Sequence, residues 1–128
     1  MYRLLLLLLF YSFYNFNNSY AKNTWTLVYK SLETNHYIDV KSINVSNKFR
    51  TAWGMYDHRK LNPETQVMSA RYNKEFDCLR KRERVLSILF YSFSMGAGYP
   101  IGSRSISKWK KVPSNSIANV ILLYVCSY

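Results

Sequence analysis

The chain has 128 residues, with 18 lysines and arginines against seven acidic residues and two histidines, for a formal net charge of +11. That length suits one domain with one core, and the charge suits an acidic or polyanionic partner, or plain solubility. Two cysteines with only His36 and His58 make no metal-ligand spacing. There is no Gly-x-Ser-x-Gly elbow, and the scattered acids suggest no paired-carboxylate mechanism. Composition therefore argues against an enzyme and against a metal or other cofactor.

Residues 1–21 read as a signal peptide. Arg3 supplies the charged start, residues 4–14 the apolar stretch, and Ser19-Tyr20-Ala21 a small-x-small cleavage site. The apolar stretch is shorter than the roughly 20 residues a spanning helix needs, so the alternative of an uncleaved anchor is disfavoured. No cysteine near the cleavage site could take a diacyl anchor. The sequence thus predicts an exported domain over residues 22–128, in the periplasm or at the cell surface and not transmembrane. There the polyanions within reach are lipid head groups, surface polysaccharide and acidic patches on proteins, so nucleic acid is not the expected partner. Cys78 and Cys126 are expected to pair in that compartment. Closing so long a loop is worth about 4 kcal/mol by chain entropy.

Trp25-Thr26-Leu27-Val28-Tyr29 has the composition of a first strand. A polar turn over 31–35 leads to a second strand over 36–40, and another turn falls at 44–47. Residues 49–56 alternate as a third strand, with Phe49, Thr51, Trp53 and Met55 on one face. That heavier face is the expected core side. The segment 57–64 reads as a loop containing Asp57-His58, and 67–76 as the next strand. A strand through the basic run would project Arg80, Arg82 and Arg84 to one face with Leu86, Ile88 and Phe90 beyond them. The glycines in 94–102 are followed by Pro100 and a polar segment rather than a helix, so they predict a hairpin turn and not a phosphate cradle. Lys108-Trp109-Lys110-Lys111 is either a cationic aromatic patch or, as preferred here, a short last strand that buries Trp109 and leaves its lysines wet. Ser116 is placed to cap a helix over 117–125, with Ile117, Ile121, Leu122 and Val125 as its buried face.

The candidate binding residues are therefore Arg80, Lys81, Arg82 and Arg84 in one segment and Lys108, Trp109, Lys110 and Lys111 in another. The competing reading pairs the arginines with Glu75, Asp77 and Glu83 on a solvated sheet face.

Several stretches, in order, resemble the surface-adhesin protein E-like domain family of bacterial exported proteins. They are Trp25, Tyr37-Ile38-Asp39 with Ser42-Ile43, Arg50 with Trp53, and Glu75-Phe76-Asp77-Cys78 with its downstream arginines. Met95-Gly96-Ala97-Gly98, Trp109-Lys110-Lys111-Val112-Pro113 with Ser116, and Val125-Cys126 complete the set. The resemblance implies an α+β fold in which a C-terminal helix packs on an antiparallel sheet, tied by a Cys78–Cys126 disulfide. It further implies a non-enzymatic surface adhesin that binds host matrix and serum proteins and can form a homodimer. The alternative function is a periplasmic inhibitor or accessory protein acting on another exported protein.

Overall fold

The computed structural model describes residues 25–105 and 107–128, so the expected signal peptide lies outside the described residues. Eight strands follow in chain order: β1 (Trp25–Lys30), β2 (Thr34–Asp39), β3 (Asn44–Ser46), β4 (Phe49–His58), β5 (Ser69–Asp77), β6 (Arg82–Tyr91), β7 (Gly102–Ser105) and β8 (Lys110–Lys111). All join one sheet in the order β1-β2-β4-β5-β6-β7, with β3 added to β4 and β8 to β6. Every pairing is antiparallel. Hairpin connections of this kind let one face pack a core while the other meets water.

One helix, α1 (Ile117–Cys126), closes the chain on that sheet. The Ser116 hydroxyl accepts the Asn119 N–H at 3.2 Å, which satisfies one of the donors a helix N-terminus leaves open. Ile121, Leu122 and Val125 are buried against Ile38, Ala52, Phe76 and Val112 to form the core. The predicted buried face is right at those three positions and wrong at Ile117. That side chain is 38% exposed, and in the first turn it is Ala118 that packs against the core cluster. Cys78 and Cys126 form the disulfide that fastens the helix end to the end of β5.

The side of β4 that packs on the helix is the reverse of the expected one, although Met55 on the heavier face is itself fully buried. Ala52 is buried with the helix residues, while Trp53 is 36% exposed on the opposite face. The reason is steric. Beneath the helix β4 offers the short Ala52, beside Ile38 and Phe76 of the neighbouring strands. The space over Gly54 is filled by the ring of its cross-strand partner Tyr72, against which any Cβ would collide. Tyr72 is itself buried, and burial pushes its phenol well above the usual range.

Two further expectations need correction. Asp57 and His58 end strand β4 rather than sitting in a loop. Lys74 pairs with Val85 and Asn73 with Ser87, so Leu86 is the extra residue of a β-bulge. The bulge breaks the alternation after Arg84. Arg82 and Arg84 share a face with Leu89, whereas Ile88 and Phe90 point to the other side. Arg80 precedes β6 altogether, in a turn where Lys81 adopts φ 55°. The glycine segment does form the expected reversal: β6 returns as β7 after a 3-10 turn at Ser94–Gly96.

Candidate binding edge

The turn between β5 and β6 is organised by one carboxylate. Asp77 is fully buried. Its Oδ1 accepts the Arg80 N–H at 3.0 Å, and its Oδ2 accepts Arg82 Nε at 3.3 Å and Nη2 at 3.0 Å. Burial pushes this carboxyl upward, but the Arg80 amide, the Arg82 guanidinium and the nearby Lys48 charge outweigh it. Asp77 is held below the usual carboxylate range. Arg84 repeats the arrangement less deeply, with Nη2 at 2.7 Å and Nε at 2.8 Å from Glu75 Oε1. Lys74 takes Glu83 at 3.3 Å. The arginines thus pair with Asp77 and Glu75, and Glu83 goes to a lysine instead.

Trp109 lies against both paired arginines. The guanidinium carbons of Arg82 and Arg84 are 4.9 and 4.7 Å from its ring centroid, and Phe49 packs at 6.0 Å. Each guanidinium therefore holds a carboxylate at its edge and the indole at its face, which fixes its orientation. Strand β8 then sets Lys111 opposite Arg82 and Lys110 opposite Glu83. The amide of Val112, buried just beyond, donates to the Lys81 carbonyl at 2.9 Å.

Two stretches that are far apart in sequence are brought to one sheet edge by this ladder. The eight predicted residues divide there into two groups. Arg82, Arg84 and Trp109 are half-buried and interlocked, while Arg80, Lys81, Lys108, Lys110 and Lys111 are exposed and have no acidic partner among the described residues. The first group forms a rigid base and the second a set of solvated cations around it. Such an edge can hold anionic groups on a large partner; nothing in it positions a nucleophile against a base.

Asp57 and His58 are engaged locally. His58 Nδ1 lies 2.7 Å from the Thr34 hydroxyl, and Asp57 Oδ1 accepts the Met95 N–H at 2.9 Å. As neighbours on a strand, the two side chains leave opposite faces of the sheet. What the sequence reading missed is Arg71, which lies over Gly96 on the face away from the helix. A single arginine inside a strand pattern carries no signal of that kind.

Fold and site together define a small disulfide-tied sheet domain with a cationic, aromatic edge. Residues 25–127 match the surface-adhesin protein E family, and the chain belongs to that family. This makes it a surface-adhesin-like binding protein. Its fold is similar to that of Haemophilus influenzae protein E. Crystal form II of that protein has 18% identity and a TM-score of 0.62, over 83% of this chain and 89% of that one. Its selenomethionine form gives 18% and 0.60, over 83% and 88%. No curated protein sequence matches the chain. At such identity the likeness to the solved structures is one of fold.

Proposed function

We propose that the chain is exported after removal of residues 1–21 and acts without catalysis, docking acidic or polyanionic surfaces of host or cell-envelope proteins through the β6–β8 edge. The observation that carries this reading is the ladder that sets Lys110 and Lys111 beside Glu83 and Arg82. It brings Arg80, Lys81, Lys108, Lys110 and Lys111, cations without an acidic partner among the described residues, to one sheet edge. Lys111 lies on the face of Arg82 and Lys110 on the other, beside arginines that the Asp77 and Glu75 ion pairs hold. Rigid presentation lowers the ordering cost of binding, and the exposed cations add long-range attraction.

The test is charge reversal at cations that have no structural task. The triple variant Lys81→Glu, Lys110→Glu, Lys111→Glu should elute from immobilised heparin at markedly lower salt than the parent, with an unchanged melting temperature. The parent's affinity should itself fall steeply with salt, as screening of exposed charge requires. Equal elution of the folded variant and the parent would refute the assignment. Arg82→Glu with Arg84→Glu is the wrong variant for this purpose, because it strands Asp77 and Glu75 and threatens the fold.

A further inference from the structure

Arg71 sits on β5 on the sheet face opposite the helix. Its side chain lies directly on Gly96, where φ is +64° and a Cβ would collide with Arg71 Nε. The turn beneath it is pinned: Gly96 N–H donates to Ser69 Oγ at 2.8 Å, and that hydroxyl donates to the Phe93 carbonyl at 2.6 Å. The guanidinium carbon lies 6.0 Å from the Trp25 ring centroid and 5.6 Å from that of Tyr91. Its Nε–H is buried against Gly96 without an acceptor among the described residues. No carboxylate among them lies within ion-pair distance, so any ligand in reach must take the outer guanidinium nitrogens. An arginine set among aromatic rings and left without a hydrogen-bond or ion-pair partner is uncommon, because a buried donor is ordinarily satisfied.

The guanidinium borders a hollow of about 250 Å³ lined by Trp25, Asp39, Trp53, Arg71 and Leu89. Asp39 spends one oxygen on the Lys41 amide at 3.2 Å and does not reach Arg71. The hollow thus offers an acceptor, a donor and two indoles around a space the size of one ring. A simple anion would satisfy Arg71 but face Asp39, and a cation would do the reverse. A purely apolar ring would leave both charges desolvated and unpaired. Hydroxyl groups both donate and accept, and the C–H face of a pyranose packs on indole.

We propose that this hollow is a binding site for one neutral pyranose residue of a glycan, with Trp53 and Trp25 against the ring and Asp39 and Arg71 on its hydroxyls. The site lies apart from the basic edge and does not depend on it.

The test is a titration of the ¹⁵N-labelled protein with the methyl glycosides of galactose, mannose and N-acetylglucosamine, followed at the indole N–H signals. At least one glycoside should shift the Trp25 and Trp53 signals saturably and leave Trp109, at the basic edge, unmoved. Trp53→Ala, at a partly exposed site, and Asp39→Asn, which keeps the capping oxygen, should each raise Kd by about tenfold or more while the protein stays folded. The heparin-binding triple variant should titrate like the parent. Sodium acetate and glycine, as anion and zwitterion, should produce no saturable shift. The proposal fails if no glycoside moves the two indoles, if acetate or glycine binds as tightly, or if the folded variants keep parental affinity.

Discussion

At the scale of single residues, Asp77 joins the fold to the edge. It is buried, and three groups of positive character, the Arg80 amide, Arg82 and Lys48, act on it, so its neutral form has no advantage in the folded state. Asp77→Asn keeps an acceptor for the Arg80 amide but removes the charge that balances Arg82. It should cost about 2 kcal/mol at neutral pH, below the full penalty for a stranded buried charge because Arg82 can reach water; urea denaturation measures this. The sign of the pH dependence follows from linkage. Asp77's folded pKa is below its unfolded one, so its stabilisation is present above the ordinary carboxylate range and is lost as pH falls through the folded value. His36 acts in the same direction. Burial, then the charges of Lys74 and His58, lower it from the usual 6.5, so its contribution is complete above that value and fades below it. Stability should therefore fall on acidification, and in Asp77→Asn the steepest part, below about pH 4, should flatten. At this scale the sequence was partly legible. Counting cysteines paired Cys78 with Cys126, and charge proximity found the acids near the arginines. Arg71 was illegible because its meaning depends on Gly96, which only the tertiary fold places beneath it.

At the scale of elements, most strands could be read from alternation, and the capped helix from Ser116 and its apolar spacing. The errors have one physical source: which face of a strand is buried depends on what packs there, not on which side chains are larger. In β4 Ala52 meets helix α1 while Met55 is buried on the other face, and in β6 a bulge at Leu86 reversed the alternation. Gly54 expresses the same constraint. Gly54→Ala would drive a methyl into the buried Tyr72 ring, and an overpacking cost of about 1–3 kcal/mol is expected. Thermal melting would show it as a lower Tm. The disulfide is the larger element-level contribution. It closes a separation of 48 residues, so Cys78→Ala with Cys126→Ala should lose about 4 kcal/mol by the chain-entropy argument. Hydrogen exchange should show the loss first in α1, whose last turn then depends on the burial of Leu122 and Val125 and on the Arg50 hydrogen bonds to the Tyr128 carbonyl.

At the scale of the whole molecule, the proposed export would couple to folding through that same bond. The export proposal rests on the signal-peptide grammar of residues 1–21, while residues 25–127 carry the family match. A small sheet with one helix has a net stability of only about 5–15 kcal/mol, so a staple worth about 4 kcal/mol is a large share of it. A chain lacking residues 1–21 and made in a reducing cytoplasm should therefore fold marginally, with both thiols open to alkylation. The full chain made in an exporting bacterial host should be recovered starting at Lys22, with neither thiol alkylated until a reductant is added. Intact mass before and after reduction and alkylation reads both features at once. Recovery of Met1 with two free thiols would overturn the export reading, and with it the case for a host or envelope partner. The net charge of +11 would then have to be explained by polyanions inside the cell.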